Sequence, residues 1–200
     1  MTDHSARLAT LVGSRLCHDL VSPIGAISNG LELIALAGSP GPEEMELIAQ
    51  SCASARARIN FFRVAFGKAS PEQMVGHNEA AKLITDYCEG GRMTMDWQPQ
   101  TSAAREAVQI AYLAALCCET ALPLGGRVQI LEADGIWRIS GTGRRVSVDS
   151  ALWSALGNLE APDDIAPDRV QFACLAMLVP EAGRKLTVHT GDAAVSIEIR

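Results

Sequence analysis

The stretch RLCHDLVSPIGAISNGLELI, residues 15–34, places apolar side chains at Leu16, Leu20, Ile24, Ile27, Leu31 and Ile34. Steps of three and four make one stripe of an α-helix. Leu8 and Val12 extend the stripe backwards, so a helix is predicted from Ser5 to Ala37. Gly38-Ser39-Pro40-Gly41-Pro42 ends it. Pro42 suits a first helical turn, and Glu43 and Glu44 favour the positive end of a second helix dipole. That helix is predicted over Glu43–Ala65, with Met45, Ile48, Cys52, Ala55, Ile59, Phe62 and Phe66 in a heptad seam. Gly67 then stops it. Residues 1–69 therefore read as an antiparallel helical hairpin. Two helices bury little by themselves, so the economical solution is a four-helix bundle built by a homodimer. The alternative is that the rest of the chain covers the stripe.

The chain has 200 residues, 48% of them hydrophobic but only 4% aromatic, so Leu, Ile, Val and Ala must fill the core. Its net charge of −6 argues against a nucleic-acid partner, which needs clustered Lys and Arg. No run of about 20 apolar residues occurs, so no membrane span is expected. The first residues do not read as a signal peptide. Six cysteines without a CxxC pair imply reduced thiols packed in helices, in the cytoplasm, rather than disulfides or zinc.

Residues 70–200 mix helices and strands. Helices are predicted over Glu79–Glu89, Ala103–Leu122, Ser150–Gly157 and Arg169–Leu178, and a strand over Arg92–Trp97. Hairpins are predicted at Arg127–Glu132 with Ile136–Ser140, around Asp134-Gly135, and at Lys185–Thr190 with Ala194–Ile199, around Gly191-Asp192. The fold class is α+β: a helical hairpin followed by an α/β sandwich with helices on one face of a mixed sheet.

On a helical wheel of about 100° per residue, with Leu20 at zero, His18 falls near 160°, away from the stripe. Leu11, Ser14, Arg15, Ser22, Gly25 and Asn29 surround it. An exposed neutral imidazole is a competent nucleophile toward phosphorus. Ser14, Ser22 and Gly25 are small enough to admit another protein's active site. Glycine inside a helix costs roughly 1 kcal/mol against alanine, so Gly25 implies that access outweighed stability. Pro23 removes the hydrogen bond to the Asp19 carbonyl and predicts a bend just after His18. Asp19 is placed to hold the imidazole tautomer or take its proton. Arg15, one turn earlier, is expected to neutralise a phosphoryl group or an acidic partner surface.

The string Cys17-His18-Asp19-Leu20-Val21-Ser22-Pro23 resembles the H-[DE]-L-x-x-P phosphoacceptor box of histidine-kinase dimerisation domains. The fuller string at 15–34, with INFFRVAFG at 59–67, is similar to the ChpT family of bacterial histidine phosphotransferases over the whole chain. The resemblance implies that His18 is phosphorylated and that a dimer presents two such histidines. It also implies a hybrid kinase's receiver domain as donor and response regulators as acceptors. Leu11, Ser14, Arg15, Ser22, Gly25, Ala26 and Asn29 are the expected docking patch. No cofactor is expected in this chain, with Mg²⁺ supplied by the receiver.

A histidine kinase would follow this hairpin with an ATP-binding sandwich, and ACLAMLVPEAGRKLTVHTGDAAVSIEIR at 173–200 resembles its tail. The nucleotide residues depart from that pattern. Cys117 stands where an Mg²⁺-binding Asn belongs, and Ile139 replaces the Asp of a D-x-G-x-G box in Ile139-Ser140-Gly141-Thr142-Gly143. Pro162–Asp168 lacks the glycines of a phosphate lid. ATP binding is therefore not expected, and the sandwich reads as a docking surface and a brace for the dimer.

Structural roles are assigned to His4, His77 and His189, to Cys117-Cys118, and to Trp97, Trp137 and Trp153. Asp163-Asp164 is read as a solvated loop pair. Two other functions remain open from the sequence: an autophosphorylating kinase, and a receiver-binding module that accepts no phosphate.

Overall fold

A computed structural model describes residues 2–70, 72–162 and 164–200, with side chains from Ser5 onward; the side chain of His4 and all of Asp163 lie outside the described residues. Helices α1 (Thr2–Ala37) and α2 (Pro42–Ala65) form the hairpin. Gly41 precedes α2, with Pro42 and two glutamates in its first turn. Pro23 sits inside α1 without ending it. The two helices approach closely at Gly30, where a Cβ would come within 2.7 Å of Ile48 Cγ1.

After the hairpin come β1 (Met74–Val75), α3 (His77–Cys88), β2 (Met93–Trp97), β3 (Ala103–Ala104), α4 (Arg105–Thr120), β4 (Gly126–Ala133), β5 (Ile136–Gly143), α5 (Ser150–Gly157), α6 (Val170–Glu181), β6 (Leu186–Thr190) and β7 (Ala194–Ile199). A short 3-10 turn at Pro167–Arg169 leads into α6. The main sheet runs β2-β4-β5-β7-β6, with β2 parallel to β4 and the remaining pairs antiparallel. The paired bridge β1-β3 was not foreseen, since two residues carry no periodicity.

Strand alternation aims one sheet face at the helices. Ile130, Ile139 and Ile197 lie side by side across three strands, and all three are fully buried. Asp134 and Gly135 both take positive φ (54° and 79°), the geometry of a tight hairpin turn that matches strand twist. The α4 helix is apolar on every side and runs through the centre, buried from Val108 to Cys118. It presses onto β5 at Gly141, where a Cβ would meet Cys118 Cβ at 3.1 Å and Val195 Cγ2 at 3.3 Å. The G-x-G string thus has a packing cause.

The core does not stop at the end of the hairpin. Phe61, fully buried, stacks on Tyr87 at 4.2 Å and on Tyr112 at 4.7 Å between ring centroids. Arg105 donates to the carbonyls of Arg63 (2.6 Å) and Gly67 (3.3 Å). Gln109 donates to Ala65 (3.2 Å) and Gly67 (2.9 Å). These bonds satisfy carbonyls that a helix C-terminus leaves orphaned, and they weld α2 to α4.

The covered face of α1 differs from the predicted one. Pro23 and Gly30 are buried, and Leu8, Leu11, Val12 and Leu16 pack against the core, while Ile24 and Leu31 are more than half exposed. The centre of the covered face is rotated by roughly 80° from Leu20. The reason is tertiary: α6 and its preceding turn contact α1 from one side and α2 from the other.

One further expectation, that all the thiols are packed, needs correction, and α1 is unusually apolar. The segment Ser5–Ala37 is long and apolar enough to cross a membrane by length and composition, with mean hydropathy 1.5 over its most apolar window. Only Cys117, Cys118 and Cys174 are buried; Cys88 is half-buried, and Cys17 and Cys52 are exposed. All six are free thiols.

Candidate functional site

The first helix brings His18 to the surface. Its side chain is 82% exposed, whereas that of the adjacent Asp19 is 11% exposed and that of Arg15 13%. One residue is about 100° of helix, so neighbours in sequence face different surroundings. His18 points outward and Asp19 points into the joint between hairpin and sandwich.

Asp19 connects the other two. Its Oδ1 lies 3.1 Å from His18 Nδ1, and its Oδ2 accepts from Arg15 Nε at 2.8 Å. Arg15 Nη1 donates to the Asp168 carbonyl at 2.7 Å, in the turn before α6. Burial works against the charge of Arg15, yet Asp19, with smaller help from Tyr87 and Glu119, holds its pKa above the ordinary value. A carboxylate beside Nδ1 favours the tautomer with its proton on that nitrogen, which puts the ring's lone pair on Nε2.

Behind this pair lies a second polar group of residues. The Tyr87 hydroxyl donates to Glu119 Oε2 at 3.3 Å, and the Arg58 guanidinium lies 5.7 Å from the Tyr87 ring centre. Burial raises the Glu119 carboxyl against the pull of Arg15. Burial likewise pushes the Tyr87 phenol far up, so it stays a donor. A groove of about 660 Å³ opens over them, lined by Ser22, Pro23 and Ala26 of α1, by α2, and by the α3–β2 corner.

Of the residues assigned to the docking patch, Ser14, Ser22 and Asn29 are exposed along with His18. Gly25 is half-buried, but a Cβ there would meet nothing within 4 Å. Ala26 is half-buried at the groove. Leu11 is placed differently: it packs against the core. Arg15 is turned inward, with its Nε and Nη1 bonded to Asp19 and to the Asp168 carbonyl. Its i,i+4 spacing to Asp19 was the available signal. Sequence reading missed Tyr87, Glu119 and Arg58, although Glu119 in an otherwise apolar stretch of helix was a visible anomaly.

In the second domain, Cys117 and Ile139 are fully buried. A metal ligand or an adenine acceptor at these positions would face packed core. Burial also drives the Cys117 thiol well above its ordinary pKa. No group of three or more His, Cys, Asp or Glu side chains converges among the described residues. His77 bonds the Pro99 carbonyl, His189 is exposed on β6, and Trp97, Trp137 and Trp153 are buried. Asp164 is exposed, 3.8 Å from Arg7.

The family model for the histidine phosphotransferase C-terminal domain matches residues 77–194. The protein phosphotransferase ChpT of Brucella abortus (strain 2308) is 30% identical over 188 residues, covering 91% of this chain and 90% of the relative. The chain belongs to the ChpT family of histidine phosphotransferases. A bacterial phosphotransferase of known structure superposes with a TM-score of 0.79 at 29% identity, covering 98% of this chain and 96% of the other. Membership in the ChpT family makes the chain a phosphotransferase enzyme. Cys117 and Ile139 are both part of the packed interior of the matched domain.

Proposed function

We propose that His18 is the phosphoryl acceptor and donor of a bacterial phosphorelay. The observation that carries this reading is an imidazole 82% exposed on α1, with Nδ1 held by a nearly buried carboxylate. A phosphorylated receiver domain docks on the face of Ser14, Ser22 and Asn29. The Nε2 lone pair attacks phosphorus in line, the acyl-phosphate P–O bond breaks, and the receiver's aspartate leaves as carboxylate. The ring, protonated at Nδ1 and phosphorylated at Nε2, carries a positive charge that faces Asp19. The reverse reaction on a response regulator's aspartate completes the relay. Catalysis is largely positioning and charge stabilisation, with Mg²⁺ brought by the receiver.

The working unit is a homodimer. Ile24 and Leu31 share one face of α1 and Met45 and Ile59 one face of α2, and all four are more than half exposed. Single exposed apolar residues are ordinary, but apolar faces on two adjacent helices call for a partner. A second hairpin covers them as a four-helix bundle. That same cover accounts for the hydropathy of α1 in a soluble, cytoplasmic protein, since Arg15 and Asp19 are sheltered by protein rather than lipid.

The test is a phosphotransfer time course from a phosphorylated receiver, with and without ATP. His18→Ala is expected to abolish labelling while the dimer persists. Labelling of the native chain by ATP alone would point instead to a kinase. Receiver binding without acid-labile phosphate would point to a binding module.

A further inference from the structure

We infer that Arg15 is a positioning residue of phosphoryl transfer, tying the imidazole of His18, through Asp19, to the backbone of the second domain at Asp168. The inference rests on His18 being the acceptor and goes beyond it, because it assigns the sandwich a part in orienting the nucleophile.

Three contacts carry it. Arg15 Nε donates to Asp19 Oδ2 at 2.8 Å, Arg15 Nη1 donates to the Asp168 carbonyl at 2.7 Å, and Asp19 Oδ1 faces His18 Nδ1 at 3.1 Å. The guanidinium thus spans the hairpin and the turn before α6, while the carboxylate divides its two oxygens between the guanidinium and the imidazole. Both charges are nearly covered, at 13% and 11% exposure, directly beneath a ring that is 82% exposed. Covering an ion pair is expensive and adds little net stability. Surface helix positions do not need one. Its value lies in geometry: with Oδ2 fixed, Oδ1 can only sit where it receives the Nδ1 proton.

The chemistry depends on that proton. Only the tautomer protonated at Nδ1 has its lone pair on Nε2, the nitrogen that points outward. When Nε2–P forms and the acyl-phosphate P–O bond breaks, the ring becomes cationic and Nδ1–H remains on Asp19. An unfixed carboxylate would let the ring rotate or change tautomer. Because one anchor is a carbonyl of the second domain, the nucleophile is set by how the hairpin seats on the sandwich.

The test uses the full-length protein with ¹⁵N-labelled histidine. NMR of the native chain is expected to show the His18 proton on Nδ1; a proton on Nε2 would overturn the inference without any variant. In Arg15→Gln, the tautomers should mix and kcat for transfer from a phosphorylated receiver should fall roughly 10- to 100-fold, with KM nearly unchanged. A folded Arg15→Gln with native tautomer and native rate would refute it. Arg15→Lys keeps a charge beside Asp19 but cannot fork to Asp168. It should recover the native melting temperature and only part of the rate; full recovery of rate and tautomer would exclude the tie to the second domain. His18→Ala run in parallel separates the two readings. If that variant is still labelled, the acceptor assignment fails. If it is silent while both Arg15 variants match native, only the positioning role fails.

Discussion

Glu119 is held above its ordinary pKa of 4.5 by burial, against Arg15 and the hydrogen bond from Tyr87. A carboxyl raised in the folded state binds its proton more tightly there than in the unfolded chain. Its contribution to stability is complete below the unfolded pKa and is lost as pH rises through the folded one. Thermal stability should therefore decline above about pH 4.5 as this group ionises. Glu119→Gln, which stays neutral, should flatten that decline in melting scans taken across pH. An unchanged slope would show that Glu119 is not the group responsible. At this scale the opposed placement of His18 and Asp19 was legible from spacing, because adjacent residues on a helix must face apart. Spacing did not reveal that Arg15 turns inward, since its second partner, Asp168, is 153 positions away.

Among the elements, α2 belongs to two structures at once. Its first half leaves Met45 and Leu47 on the surface, and its second half inserts Phe61 and Phe62 into the core of the sandwich. Phe61→Ala should cost about 3–5 kcal/mol, because the stack on Tyr87 and Tyr112 leaves little room for collapse. Denaturant unfolding should show one transition moved to lower concentration, since the core is continuous. Two separate transitions would mean that hairpin and sandwich unfold independently. The helix boundaries were largely legible from spacing, from Pro42 and from the Gly38–Gly41 turn. The covered face of α1 was not, because a wheel records which residues are apolar and not which neighbour arrives first. Here the core claimed Leu8, Leu11 and Val12, and left Ile24 and Leu31 exposed.

For the whole molecule, the exposed apolar faces of Ile24 and Leu31 on α1 and of Met45 and Ile59 on α2 bear on the proposed dimer. Ile24→Glu with Leu31→Glu puts charge where a second hairpin must pack, and should convert a dimer to a monomer in light scattering. The native chain should melt at higher temperature as its concentration rises, and the double variant should not. A native chain that is monomeric by scattering would remove the bundle from the account. α4 lies close against Gly141, and Cys117 and Ile139 are interior, so these positions serve packing of the core.

The order of the helices and main-sheet strands, the tight Asp134-Gly135 turn, and an outward imidazole beside an acidic neighbour were determined by sequence alone, because each depends on spacing within a few residues. Only the tertiary structure decided which side of α1 is covered, that Arg15 reaches Asp168, and that Glu119 and Tyr87 lie behind the site. Those contacts join segments far apart in the chain, and no local periodicity encodes which of them meet.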